Sequence, residues 1–314
     1  MLRSIGLVLM VCALLIGNVA ASAAQEIDIS FSDVKLKELG YPEIHITVGP
    51  DGVEAPSEIE AGYYLVTLHP TEEYSAYLDF MKPPAGLSED EATELALQAA
   101  ANDLVQPDWE YLGGTNTFEI GVPVSFAIHF QPGEYVTAAS YYAPEEGAEE
   151  VMTLVPLVVT GEATPAAMVA TPVVAQASPV ASAPMADVTL EMTDDLEYIV
   201  SPDPVPSGPQ LWEVTNTGTE QAHHLVMQRV PEGVTAEEIV AEFAGLISGT
   251  PPAGEPLVTQ FTYVGYAALQ SGGHTTWQEF DLDPGTYAIT CFIIDPATGV
   301  PHLLDGMVTT FTVE

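Results

Sequence analysis

Asp283-Pro284-Gly285-Thr286-Tyr287-Ala288-Ile289-Thr290-Cys291, then His302 after ten intervening residues and Met307 after four more, is the stretch on which the reading of this 314-residue chain turns. Pro284-Gly285 marks a turn, and the Thr, Tyr and Ile content behind it predicts a strand over 285–294. Side chains alternate along a strand, so Tyr287, Ile289, Cys291 and Ile293 share one face. A second predicted strand, 307–313, starts just beyond His302. A thiol, an imidazole and a thioether therefore gather around one pair of strand ends.

Only two cysteines occur in the whole chain, and the other, Cys12, lies in a segment that reads as an export signal. Arg3 gives that segment its positive start, Ile5 to Ile16 its apolar centre, and Ala21-Ser22-Ala23-Ala24 a small-residue cleavage site, so residues 1–24 are expected to be removed. The apolar run is too short for a confident membrane span, and Met10-Val11 before Cys12 are not the small residues of a lipid-attachment site. No later stretch is long and apolar enough to cross a bilayer. The expected mature protein is exported, to a periplasm, the medium or the cell surface. It keeps a single cysteine, Cys291, which cannot close an intramolecular disulfide. Such a thiol is buried and inert, reactive, shared between chains, or bound to a metal. Thiolate, imidazole and thioether together suit copper in both of its oxidation states.

Charge excludes several function classes. Without Arg3, four cations (Lys35, Lys37, Lys82 and Arg229) face 45 Asp and Glu, a net charge of −41. A surface of that sign repels nucleic acid and anionic lipid and attracts cationic partners or counter-ions. Solubility, as in a saline habitat, explains the acidity as readily as docking does.

Residues 163–186 consist almost wholly of Ala, Pro, Val, Thr and Ser, carry no charge, and place prolines at 165, 172, 179 and 184. This composition cannot build a core and reads as a semi-extended linker. It separates residues 25–162 from residues 187–314, and the two parts resemble each other. Ser88/Glu91 and Thr235/Glu238 both have capping-box spacing before an apolar-periodic helix, 92–104 in one part and 239–247 in the other. Gln131-Pro132-Gly133-Glu134-Tyr135 answers Asp283-Pro284-Gly285-Thr286-Tyr287, and the closing strands 156–161 and 308–313 align without a gap. A shared turn, tyrosine, capped helix and closing strand in one order indicate a duplication. Short segments rich in Val, Ile, Thr and aromatics, among them 210–216, 224–230 and 276–282, predict a mainly β sandwich or barrel with one short helix per part.

The run from Pro284 to Cys291, with His302 and Met307 after it, resembles the C-terminal ligand region of the cupredoxins. In that family a turn and a tyrosine four residues ahead of the cysteine lead into Cys, His and Met ligands at one end of a sandwich. Upstream, Asn216-Thr217-Gly218-Thr219-Glu220-Gln221-Ala222-His223-His224-Leu225-Val226-Met227 resembles the family's turn and first histidine ligand. The resemblance covers essentially all of 187–314, and more weakly the first part. It implies two Greek-key β-sandwich domains, with one copper ion in the C-terminal domain bound by His223 or His224, Cys291, His302 and Met307. It favours His223, which is followed by one residue and then an aliphatic pair. Adjacent strand residues face opposite ways, so only one of the two histidines is expected to reach the metal. The segment Phe292–Pro301 is longer than the family's usual connection, and Asp295-Pro296 and Thr298-Gly299 predict an extra turn within it.

The first part serves as an internal control. In the ungapped alignment of the C-terminal segments Cys291 falls on Ala139, His302 on Glu150 and Met307 on Val155; aligned on the run before each capped helix, His223 and His224 fall on Ala76 and Tyr77. The scaffold residues persist and the soft ligands do not, which argues that the ligands serve a site rather than the fold. His274 has no partner at useful spacing. His45, His69 and His129 fit no metal spacing and receive no role. No Gly-x-Ser-x-Gly elbow, phosphate loop or His-Glu-x-x-His occurs, so no enzymatic activity is expected. The expected function is one-electron transfer through a type 1 copper centre, with an unidentified redox partner for which a cationic surface would suit. The rival is a metal-free extracellular binding or adhesion module in which Cys291 is simply buried.

Overall fold

A computed structural model describes residues 33–314 other than 72, 101–104, 107, 118, 144–149, 162–181 and 251–253. The expected signal segment and most of the expected linker lie outside the described residues, as does the end of the first predicted helix.

The first half contains the short helix α1 (Val34–Glu38), β1 (Glu43–Gly49), β2 (Gly52–Glu54), β3 (Glu58–Glu60), β4 (Gly62–Pro70), β5 (Ser75–Lys82), α2 (Glu89–Ala100), β6 (Glu110–Asn116), β7 (Val124–Phe130), β8 (Gly133–Tyr142) and β9 (Val151–Thr160). The second contains β10 (Val188–Met192), β11 (Tyr198–Ser201), β12 (Gly208–Asn216), β13 (His223–Val230), α3 (Ala236–Ile247), β14 (Thr262–Gln270), β15 (Thr275–Leu282), β16 (Gly285–Thr290) and β17 (Val308–Val313). The predicted mainly β architecture is present. Both predicted helix caps form: Thr235 and Glu238 exchange both capping-box bonds, and Ser88 and Glu91 do the same. Helix α1 was not anticipated. Its leading N–H groups, on Lys35 and Leu36, donate to the Glu279 carboxylate of β15 at 2.8 and 3.2 Å.

Two sheets hold all the strands, in the orders β11-β10-β12-β15-β7-β4-β1-β2 and β17-β16-β13-β14-β6-β5-β8-β9-β3. Each sheet runs through both halves. The seams are β15 against β7, where Thr276 pairs with Ile128 and Gln278 with Phe126, and β14 against β6, where Gln270 pairs with Leu112. Outward from the seams, the second half's strands repeat the order of the first half's. Between the sheets lie two separate apolar cores, one around Trp212, Phe280, Tyr287 and Phe311 and the other around Phe80, Phe126 and Phe130. Alternation builds these cores: Val188, Leu190 and Met192 of β10 are buried, while Thr189 and Glu191 point outward. Helix α3 covers the outer face of β13 and β16 through Ile239 and Phe243, and α2 covers β5 and β8 through Ala92 and Ala96.

The registers test the alignment of the halves strand by strand. Val226 pairs with Thr290 in one half, and their aligned positions Asp79 and Ala138 pair in the other. Tyr287 and Tyr135 each donate a hydroxyl to the carbonyl four residues back, both at 2.8 Å. The closing strands depart from the ungapped reading. Thr290 pairs with Val308, whereas Ala138 pairs with Leu154, so the second half's connection is longer by two residues. Met307 therefore corresponds to Thr153, the partner of Ala139, rather than to Val155.

Candidate metal centre

His223 opens β13 and is placed by the turn before it. Buried Asn216 holds that turn with its whole amide: Nδ2 donates to the Gln221 and Gln270 carbonyls, both at 2.8 Å, and Oδ1 accepts from the Gly218 N–H at 2.9 Å. The Asp194 carboxylate accepts from the Thr219 and Glu220 N–H groups. A Cβ on Gly218 would meet Asp194 Oδ1, so any larger residue there would have to displace the carboxylate that holds the turn.

Cys291 stands one residue beyond β16 and is fully buried. Its N–H donates to the Met307 carbonyl at 3.2 Å, and its carbonyl accepts from Leu303 N–H at 2.8 Å. The predicted face holds: Tyr287, Ile289 and Cys291 all enter the second-half core, with Ile293 packed against it. Strand β16 ends earlier than predicted because the chain then turns outward into the ten-residue excursion.

That excursion is a closed hairpin. Asp295 N–H donates to the Val300 carbonyl at 3.0 Å and Gly299 N–H to the Asp295 carbonyl at 2.7 Å, while Ala297 N–H and the Thr298 hydroxyl donate to the Asp295 carboxylate. Ile294 bridges to Pro301, and His302 N–H donates to Ile293 carbonyl at 2.8 Å. The extra residues thus leave and return at one point, bringing His302 beside Cys291. A single 3-10 turn, His302–Asp305, ends at Gly306 with φ of 104° and sets Met307 opposite Cys291.

The outcome is a convergence of donors. His223 Nδ1 lies 3.2 Å from His302 Nδ1, and Cys291 Sγ lies 3.6 Å from His302 Nδ1. One donor atom from each of His223, Cys291 and His302 falls within 4.8 Å of the others, and all three residues are buried. Met307 is buried in the same core, its N–H donating to the His302 carbonyl at 2.9 Å. Among the described residues, nothing hydrogen-bonds to Nε2 of His223 or of His302, though both atoms are buried. Burial, and next the charge of His302, pushes the His223 imidazole down to about 4, against a smaller upward pull from Asp194. His302 is also lowered by burial, opposed by Asp295 and Asp305. Burial lifts the Cys291 thiol to about 11, opposed by the His224 and Ile293 N–H groups and the Tyr198 hydroxyl. Two neutral imidazoles and a shielded sulfur form a soft donor set of the kind that fits copper.

His224 is not part of this cluster. It faces the layer beneath α3, accepts from Phe292 N–H at 2.8 Å through Nε2, and meets the Tyr266 hydroxyl at 3.4 Å through Nδ1. Both of its ring nitrogens are engaged, and burial drives its imidazole down to about 3. The Tyr198 hydroxyl, which donates to the His224 carbonyl, is a neighbour of the site that sequence reasoning missed; β11 carried no signal for it. His274 lies elsewhere, against Glu110 at 2.9 Å.

No family model and no curated protein sequence matches the chain. Solved structures do resemble it. A dithionite-reduced auracyanin from the photosynthetic bacterium Roseiflexus castenholzii is 24% identical over 40% of this chain and 94% of its own, with a TM-score of 0.26. A multicopper oxidase is 12% identical over 87% of this chain and 88% of its own, with a TM-score of 0.22. A copper-containing nitrite reductase from Thermus scotoductus is 11% identical over 87% of this chain and 61% of its own, with a TM-score of 0.21. What the described residues themselves show is a mainly β fold of two sheets that run through both halves. An oxidase and a reductase are among the structures it resembles, so the expectation of no enzymatic activity is withdrawn. No helix among the described residues is long and apolar enough to cross a membrane.

Proposed function

We propose that His223, Cys291, His302 and Met307 hold one copper ion and that the protein passes single electrons through it. The observation that carries this reading is the buried convergence of two imidazole nitrogens and a thiol from three separate segments. A bound copper would supply a one-electron couple, with thiolate and thioether suiting the reduced ion and imidazole the oxidised one.

The chain's own residues supply the rest. His224 and Ile293 N–H groups and the Tyr198 hydroxyl face the Cys291 sulfur and offset the cost of its losing a proton. His224 acts as a positioning residue, because its bond to Phe292 N–H fixes the backbone directly after the cysteine. The Asn216-anchored turn and the closed 292–301 hairpin hold His223 and His302 in place before any ion enters. Full burial of the donors keeps water and oxidants from the sulfur. The long connection does not separate His302 from Cys291, since it folds back on itself.

On this reading the halves, residues 25–162 and 187–314, descend from one duplicated unit, which their matching strand order and register support. The first would be the ligand-free copy, the second the redox copy, and the signal-like residues 1–24 would direct the chain outside the cytoplasm. A redox partner with a basic docking face suits the acidic surface.

The test is optical. Copper(II) added to the purified mature protein is expected to give an intense blue thiolate-to-copper charge-transfer band that Cys291→Ser abolishes. No band, or an unchanged band in that variant, overturns the proposal.

A further inference from the structure

The first half holds a second histidine convergence, on the opposite sheet and facing solvent. His45 of β1 and His69 of β4 are 24 residues apart in sequence, and β1 pairs with β4 in parallel so that His45 sits opposite Thr67 and Thr47 opposite His69. The two histidines are thus diagonal neighbours on the outer face of the sheet. Nδ1 of His45 lies 2.9 Å from Nε2 of His69, with ring centroids 5.1 Å apart. Glu43, two residues before His45 on the same strand face, places Oε2 3.3 Å from the other nitrogen of His45, Nε2.

The geometry points to a surface metal site in which Nδ1 of His45 and Nε2 of His69 clamp a divalent ion of the tetragonal class, copper(II) or nickel(II), with Glu43 as a positioning residue. Three observations carry it, and none involves the buried centre. First, two nitrogens each about 2.05 Å from one ion at a right angle are about 2.9 Å apart, which is the separation found. Right-angled nitrogen pairs belong to square-planar and tetragonal ions. Second, a carboxylate facing the far nitrogen of a ligating histidine draws the ring proton to that side and leaves the near nitrogen free to bind. Glu43 stands in that place. Third, binding needs neutral imidazole, and burial together with the adjacent His45 lowers the pKa of His69. The His45 side chain is 56% exposed, so water can complete the coordination shell. The strongly negative chain also concentrates cations near its surface.

Calorimetric titration of the full mature protein with nickel(II) tests this, using the unaltered protein and His45→Gln, His69→Gln, Glu43→Gln and Cys291→Ser. One equivalent should bind the unaltered protein and be lost in either histidine variant. Glu43→Gln should weaken it by about tenfold. Cys291→Ser should leave it intact, which separates this site from the proposed copper centre. Nickel binding that is absent from the unaltered protein, or that persists undiminished in either histidine variant, overturns the proposal. A readout without substitution is NMR of the unaltered protein with substoichiometric nickel(II). Selective broadening of the His45 and His69 ring signals is expected, and unbroadened signals reject the site.

Discussion

At matching places in the two halves the backbone does the same thing and the side chains do not. Val226 pairs with Thr290 as Asp79 pairs with Ala138, and a tyrosine hydroxyl closes the same turn in each. Yet Cys291 meets Ala139, His223 meets Ala76, and Met307 meets Thr153. The first half packs alanines where the second places a thiol and an imidazole, and Ala76 and Ala139 are themselves fully buried. The scaffold therefore tolerates a dry apolar filling at this point, and the polar filling needs another cause than folding. Burying two imidazoles whose Nε2 atoms have no hydrogen-bond partner among the described residues costs free energy that the apolar filling spares.

The sharpest way to break this contrast is to exchange the two centres. Cys291→Ala should remove all blue absorbance, and Ala139→Cys should create none, because Ala76 stands where an imidazole would be needed. A blue band in the second variant would show that the donors are less specific than their convergence suggests.

The next largest effect tests whether the halves melt as one. Phe80→Ala empties a fully buried position in the first-half core and should cost about 3–5 kcal/mol. Because both sheets cross the seams, copper absorbance and far-UV circular dichroism should fall together on heating, in this variant and in the unaltered protein. Separated transitions would show that the seams are weaker than the cores they join.

Acid should act first through the second half. His223 titrates at about 4 when folded and at about 6.5 in an unfolded chain. As pH falls below about 6.5 the unfolded chain takes up the proton first, so metal-free stability drops until about pH 4. His223 accounts for about 3 kcal/mol of that loss, at about 1.4 kcal/mol per unit. Urea unfolding between pH 7 and 4 measures the slope, which His223→Gln should flatten.

The smallest expected effect lies at a seam. Glu110 of β6 receives His274 at 2.9 Å and Lys82 at 3.2 Å, and the hydrogen bond from His274 is the main cause that lowers its carboxyl to about 2. Its stabilising contribution is full above about 4.5 and is lost as pH falls through 2. The pair is partly exposed, so Glu110→Gln should cost only about 0.2–1 kcal/mol at neutral pH. An unchanged urea midpoint in the variant would remove this bridge from the seam.

What could be read beforehand followed short-range rules. The Pro-Gly turns, the Thr235 and Ser88 caps, and the alternation through Tyr287, Ile289 and Cys291 are all local patterns, and all of them appear. The side chains of the buried convergence were legible because Cys291, His302 and Met307 sit near one strand pair. Four features were not. Sheet seams are made of backbone pairing, which leaves no side-chain signature in β6 or β14. Helix α1 is held by Glu279, 243 residues away. The two-residue offset of β9 required the ladder itself. The His45–His69 pair depends on a parallel register between strands whose order in the sheet no spacing rule reveals.

The seams carry one more consequence. A sandwich cut between β15 and β7, and between β14 and β6, would leave four strand edges with bare N–H and C=O groups, each a template for unwanted pairing. In the intact chain each half covers two edges of the other. A half without the buried thiol and imidazoles can then remain indispensable to the half that carries them, as the shield that keeps exposed ladders from recruiting other molecules. Its sequence is free to change everywhere except where it must fit.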